Sequence, residues 1–449
     1  MWGFSRKVRG IILAILFTFF LVPNNLQAGS PIWAPSPLAD LIEEGLAQNK
    51  EIQSLEAQVE SLKEEVPFAG ALDDPRLGLG IINLPADSFR FDREPMTQKQ
   101  ISIAQKIPWF GKLDLRSQRA ALKAIRHKAI LEARRLELAK MIANVYYELG
   151  FITSSLETNK RLTEIVNLLL RVAETRYATG RGLQQDVLQA QVELSKLLDE
   201  KIILDKRRRT LTDRINELLS RDRFMVVDQP SGLEFFSIKL NIDELTARAL
   251  QENPQLHVKQ TEIDMAQIEI ELAKKDYWPD MDFKFAYSQR DEDRTGRSLP
   301  DFVSAQVVMN IPLWQKTRQA PKLAATLKTR EAAEKSFRNL LKSLPFQVDA
   351  LITEIRDTQK NYKLFTDALL LQADQWARSS QAAYEVGSIE FNTMINAQIR
   401  LLRFELQADK YLFDVYRKRA ELEEVLGGPI QMNTAGNNLV EKTVSARNK

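Results

Sequence analysis

The chain has 449 residues, 44% hydrophobic and 27% charged, enough apolar material for a large core and too much for a disordered chain. Its 63 basic and 60 acidic residues leave a formal net charge of +3, which lacks the footprint of a nucleic-acid-binding protein. With no cysteine it cannot use disulfides, and the basic run Lys206, Arg207, Arg208 and Arg209 reads as a solvated helix face.

Residues 1–28 read as a secretory signal peptide. Arg6, Lys7 and Arg9 precede an apolar stretch from Ile11 to Val22, and Leu26-Gln27-Ala28 offers a small-residue cleavage site. No later stretch is apolar enough for a transmembrane helix, so a mature chain that enters a membrane has to do so as a closed β-barrel.

From there the chain repeats itself. Leu41, Leu46, Asn49 and Ile52 recur as Leu245, Leu250, Asn253 and Leu256, while Pro75, Leu77, Leu79 and Ile81 recur as Pro279, Met281, Phe283 and Phe285. Ile107, Pro108 and Lys112 recur as Ile311, Pro312 and Lys316, and every one of these pairs is 204 residues apart. Farther on Tyr177, Gly180, Ala190, Gln191 and Leu194 recur as Tyr384, Gly387, Ala397, Gln398 and Leu401 at an offset of 207. A colinear series of this kind is a duplication with one three-residue insertion. The first repeat is expected over 29–222 and the second over 241–427, with a linker at 223–240 and a polar tail at 428–449.

Each repeat reads as a helix, two strands, and a long helical hairpin. Strands are expected at 76–85 and 98–107 in the first and at 280–289 and 302–311 in the second. Their residues alternate: Met281, Phe283, Phe285 and Tyr287 fall on one face, with Asp282, Lys284, Ala286 and Ser288 on the other. Strands with one apolar and one polar face suit an outer-membrane barrel, or a soluble hairpin packed on helices. The loops 86–97 and 290–301 suit an aqueous surface. Between Lys112 and Arg176 only Gly150 interrupts the helix formers, so one helix of ~98 Å is expected there at about 1.5 Å per residue. The hairpins turn at 177–183 and 384–391, and heptad stripes such as Val187, Ala190, Leu194, Leu197, Leu204 and Leu211 read as packing seams. Pro345 is expected to kink or break the second long helix. The fold class is therefore α+β, with long antiparallel helical hairpins and four strands per chain; four strands cannot close a barrel, and three copies with twelve strands would leave a passage where two would not.

The segments Arg176-Tyr-Ala-Thr-Gly180 through Asp186-Val-Leu-Gln-Ala-Gln191, and Tyr384-Glu-Val-Gly387 through Ile395-Asn-Ala-Gln398, resemble the paired turn motifs of TolC-like outer-membrane efflux proteins. Ile107-Pro-Trp-Phe-Gly-Lys112 is similar to their strand-to-helix junction. The resemblance implies a homotrimer in outer-membrane lipid, a twelve-stranded barrel on a periplasmic helical barrel, and an exit duct served by a periplasmic adaptor and an inner-membrane transporter of the RND type. Asp74-Pro-Arg, Asn83-Leu-Pro and Met96-Thr-Gln-Lys-Gln100 look closer to the branch serving heavy-metal pumps. It also implies that Tyr177, Gly180, Gly182, Leu183, Tyr384, Gly387 and Ile389 form the hairpin turns that meet the adaptor. Packing at the turn is the other reading of both tyrosines. Where some members narrow the periplasmic mouth with carboxylates, six and nine residues past the second turn glycine, this chain has Thr393 and Asn396; the matching first-repeat positions are Asp186 and Gln189. Asp186 is also the kind of carboxylate that a helix start favours.

No enzyme is expected. His127 and His257 have no metal-ligand spacing, Gly78-Leu-Gly80 lacks the third glycine of a dinucleotide loop, and Glu64 and Glu65 read as solvated charge, so neither catalytic site, cofactor nor metal is assigned. The alternative function is a periplasmic coiled-coil adaptor or scaffold that never enters lipid, for which strands with an apolar outer face would be unnecessary.

Overall fold

The computed structural model describes residues 36–223, 225–228, 233, 235–236 and 241–430. The expected signal peptide, most of the tail and much of the linker lie outside the described residues. The first repeat comprises α1 (Ser36–Gln48), α2 (Lys50–Gly70), β1 (Arg76–Ile82), β2 (Gln98–Ile107), α3 (Lys112–Ala178) and α4 (Gln184–Leu218). The second comprises α5 (Ile242–Glu252), α6 (Pro254–Lys275), β3 (Met281–Gln289), β4 (Phe302–Met309), α7 (Gln319–Leu364), a π-helical turn (Phe365–Leu369), α8 (Leu370–Glu385) and α9 (Phe391–Leu426).

The duplication reaches down to single hydrogen bonds. Asn49 caps α2 by accepting from the Glu51 and Ile52 N–H groups, and its own amide donates to the Leu218 carbonyl at the end of α4. Asn253 does the same for α6, accepting from Gln255 and donating to Val425 near the end of α9. Asparagine suits this role because one amide supplies both the acceptor that an orphan helix N–H needs and a donor for a distant carbonyl. Both hairpin helices of each repeat end alike. Arg181 N–H reaches Arg176 O, Ser388 reaches Ala383, Arg221 reaches Asn216 and Gly428 reaches Glu423, each with a tighter bond inside it and a left-handed residue between. That left-handed residue is Gly180, Gly387, Ser220 or Gly427. Gly427 has a second reason to be glycine: a β-carbon there would sit 2.4 Å from the Glu252 carbonyl oxygen. At Gly180 nothing lies within 4 Å, so only the backbone angle asks for glycine, and Ser220 shows that the chain accepts a side chain in this conformation.

The helix α3 runs 67 residues, roughly 100 Å, and is a spine for both repeats. It packs on α2 and α4 of its own repeat and on α6 and α9 of the other. The seam positions Ala190, Leu197, Leu211, Ile215 and Leu218 of α4 are buried. The core around the middle of α3 gathers Ile142, Tyr146 and Tyr147 with Phe413 and Tyr416 of α9. The basic run is a surface of ion pairs, Arg207 with Glu148 and Arg208 with Asp205 at 2.9 Å.

Two expectations need correction. Pro345 does not break α7, which continues as helix to Leu364. Proline removes one backbone bond, but Leu344, Val348, Ile352 and Ile355 around it are buried against α5 and α9, and that packing outweighs the local loss. The helical hydrogen-bond pattern changes at the π turn at 365–369, inside the interval where the repeat offset changes from 204 to 207. The first strand is also shorter than 76–85. It stops at Ile82 because Asn83 turns left-handed (φ 56°) and Pro85 follows.

The four strands form one antiparallel sheet in the order β1-β2-β3-β4, leaving β1 and β4 as edges. The register sets Leu77, Ile103, Phe285 and Ala305 side by side, and likewise Leu79, Ile101, Tyr287 and Val303. Directly opposed residues share a face, so most of the large apolar side chains stand on one side, and Gly78, Ser102, Ala286 and Ser304 stand on the other together with Ile82, Phe302 and Val308.

Candidate functional site: hairpin tips and sheet

At the far end of the bundle from the sheet the two hairpins turn side by side. α3 ends at Ala178 and α4 starts after Leu183; α8 ends at Glu385 and α9 starts after Glu390. The two motif tyrosines are equivalent in sequence but not in environment. Tyr384 is 6% exposed, edge-on to Phe391, with the Arg176 guanidinium over its ring at 4.6 Å and donating to its carbonyl at 3.1 Å. Burial, and then the charge of Asp186, push its phenol above the ordinary value against the pull of Arg176. Tyr177 is half exposed. Arg176 thus ties one hairpin to the other, a role its place in the motif did not reveal. The signal was an asymmetry, since the equivalent residue of the second repeat is Ala383.

Of the four residues assigned to the mouth, the structure joins two. Gln189 donates to the side-chain carbonyl of Asn392 at 2.6 Å, and Asn396 donates to the same oxygen at 2.6 Å. Asn392 is the member that sequence reasoning missed, because it lies five residues past Gly387 and outside the six-and-nine spacing. Thr393 is exposed, its backbone N–H bonded to Glu390 O. Asp186 occupies the first turn of α4, where a helix dipole favours a carboxylate, close enough for its charge to act on Tyr384. Among the turn residues, Gly182 lies against Arg176, Ile389 packs on the hydrophobic cluster of the tip, and Leu183 and Val386 are exposed. Among these four positions, the polar contact between the hairpins is one of neutral amides.

At the opposite end, Leu77, Leu79, Ile101, Ile103, Phe285, Tyr287, Val303 and Val307 are exposed across the sheet, while Ser102, Ala286 and Ser288 on the reverse face are enclosed. Among the described residues no helix packs broadly on either face. Over β2 and β3 the apolar side of the sheet is thus the open one and the small-residue side the enclosed one, as the outer face of a membrane barrel requires. Where it joins the helices, Lys112 is buried between Asp280 (2.9 Å) and Asp276 (3.1 Å), and Trp109 stacks on Trp278 at 4.9 Å. Among the described residues no helix is long and apolar enough to cross a membrane, and no cluster of His, Asp and Glu could hold a metal ion.

No curated protein sequence matches the chain. The crystal structure of the outer membrane protein VceC from Vibrio cholerae superposes with a TM-score of 0.74 at 17% identity, covering 88% of this chain and 97% of that one. The Campylobacter jejuni CmeC outer membrane channel gives 0.73 at 12% identity over 91% and 89%, and CusC gives 0.68 at 13% over 87% and 92%. These share the fold. The family model described as outer membrane efflux protein matches twice, over residues 41–219 and 245–428, which are the two repeats. The chain belongs to the outer membrane efflux protein family.

Proposed function

We propose that three copies of this efflux-channel subunit close one passive duct, with twelve strands forming a barrel in the outer membrane and the helical hairpins continuing it into the periplasm. The observation that carries this reading is the sheet: an exposed apolar outer face between two unpaired edges. In lipid each unpaired backbone group costs several kcal/mol, so the edges β1 and β4 must find partners. Four strands cannot close, eight would be filled by their own side chains, and twelve leave room for cargo. An adaptor or scaffold that stays in the periplasm would have no use for such a face.

Cargo reaches the duct from a periplasmic adaptor and an inner-membrane pump of the RND type, and the exposed Tyr177, Leu183 and Val386 at the tips offer the adaptor an apolar foothold. The mouth is closed by amide hydrogen bonds and packing, with a weak cation preference from Asp186. The heavy-metal branch rests on the residue likeness of the strand segments alone. The test is the mass of the detergent-extracted particle: three chains are expected, and a stable monomer lodged in the membrane would overturn the proposal.

A further inference from the structure

We propose that the enclosed face of the sheet forms a cationic collar at the base of the barrel, a binding site for anions that carry two or more charges. The proposal rests on the duct reading above, in which that face lines the passage.

The strand register places the charges. Over β1 to β4 the enclosed face carries Arg76, Lys106, Asp282 and Lys284, and otherwise Gly, Ala, Ser and Gln with the apolar Ile82, Phe302 and Val308. All of its charges fall in two adjacent rows at the end of the strands that joins the helices. Arg76, Ala104, Lys284 and Gln306 lie side by side in one row, and Lys106, Asp282 and Val308 in the next. The carboxylate of these rows is already engaged, because Arg76 donates to Asp282. Among the described residues neither Lys106 nor Lys284 is ion-paired. The nearby acids are taken as well. Asp280 binds Lys112 at 2.9 Å and accepts from the Trp109 N–H at 2.8 Å, with the charge of Lys106 also reaching it. Asp276 binds Lys112 at 3.1 Å and Lys322 at 2.6 Å. Counting these groups and the exposed Asp74, five cations meet four carboxylates, so each chain keeps an excess positive charge at this level.

Size decides whether such a ring acts on the passage. Twelve strands about 4.8 Å apart and tilted by about 40° close to a radius of about 12 Å. A lysine stem reaches about 6 Å, so the ammonium groups stand about 6 Å from the axis, inside the Debye length of about 8 Å at physiological salt. Threefold repetition sets like charges around one lumen, where their potentials add. The attraction scales with the charge of the ion, which favours multivalent anions over chloride. Ammonium donors suit phosphate and carboxylate oxygens, so these are the groups the collar would hold. The rest of the enclosed face is uncharged, which confines the site to the barrel base.

Pyrophosphate is the probe, and its binding to detergent-extracted particles is measured by equilibrium dialysis once the mass of each variant's particle is known. Saturable binding that weakens as salt rises is expected for the unsubstituted protein. Lys106→Gln with Lys284→Gln removes two positive charges per chain and should weaken binding by about tenfold or more. Asp282→Asn removes the carboxylate of the same rows and should tighten it several-fold. Lys99→Gln is the control, since Lys99 lies on the other face of β2 and binds Asp291 at 3.0 Å; it should leave binding unchanged. Opposite shifts from one face follow from a charged ring and not from a disturbed fold. Three-chain particles that bind no pyrophosphate, that bind it equally after both lysines are replaced, that bind it no tighter with Asp282→Asn, or that lose it with Lys99→Gln would overturn the collar and leave the duct standing. Particles of one chain in the unsubstituted protein would overturn both.

Discussion

Helices α4 and α9 are the same element built twice, yet one has both sides covered and the other has one. Val187, Ala190, Leu194 and Leu197 pack α4 onto α3, as Met394, Ala397 and Leu402 pack α9, but α9 also buries Ile395 against the first repeat while Leu188 faces out. The strand-to-helix junctions differ in the same way. Lys112 is enclosed by Asp276 and Asp280 from the second repeat, and Trp109 lies flat on Trp278; Trp314 and Lys316, in the matching stretch, are exposed. The difference teaches that exposure in this molecule is not a property of sequence position. It records whether the other half of the duplication is present on that side.

The comparison breaks first at the paired isoleucine and leucine. Truncating Ile395 to alanine should cost about 3 kcal/mol, because a fully buried aliphatic leaves a cavity wherever the chain is folded. Leu188→Ala should change the thermal unfolding of the isolated chain by no more than about 0.5 kcal/mol, and lower only the fraction that assembles. Equal losses in the dissociated chain, followed by circular dichroism in detergent, would erase the distinction.

Smaller is the effect at the junction. Lys112→Ala leaves two carboxylates facing each other's charge without a cation between them, though each keeps part of its surface in water and Asp276 also binds Lys322 at 2.6 Å. The expected loss is about 2 kcal/mol, below the full cost of breaking a buried pair. Lys316→Ala should be silent within about 0.5 kcal/mol in the dissociated chain. The same melting measurement separates them.

A pH-dependent effect concerns how each repeat holds the segment after its last helix. The first uses a neutral group, Asn216 donating to the Met225 carbonyl at 3.0 Å. The second puts Glu423 at the equivalent place, accepting from the Ile430 N–H at 3.1 Å and from Arg419 at 3.0 Å. Burial pushes the Glu423 carboxyl up to about 7, against the attraction of Arg419. Because this acid is raised in the folded chain above its ordinary 4.5, the folded state binds the proton more tightly. Its stabilising share is full below pH about 4.5 and is lost as the pH rises to about 7. Melting temperature should fall over that window and flatten above it, and Glu423→Gln should remove the slope. A slope unchanged in the variant would assign it to other groups.

Much of this was legible in the chain itself. The duplication, the length of α3, the heptad seam of α4 and the two-faced strands follow from periodicity, since a helix repeats every 3.6 residues and a strand every two. The turn glycines were visible too, because only a left-handed backbone explains their place between two long helices. What sequence could not decide were outcomes that depend on neighbours far along the chain. Pro345 stays helical because α5 and α9 bury its flanks, and Tyr384 is covered while Tyr177 is not because Arg176 has no counterpart in the second repeat. Asn392 joins Gln189 and Asn396 because α4 and α9 bring both amides to its one side-chain carbonyl oxygen. Local pattern fixes which face of an element is apolar, since it needs only the backbone period. Which apolar face is filled, and by what, is settled by packing between segments some two hundred residues apart, and that information exists only once the chain is folded.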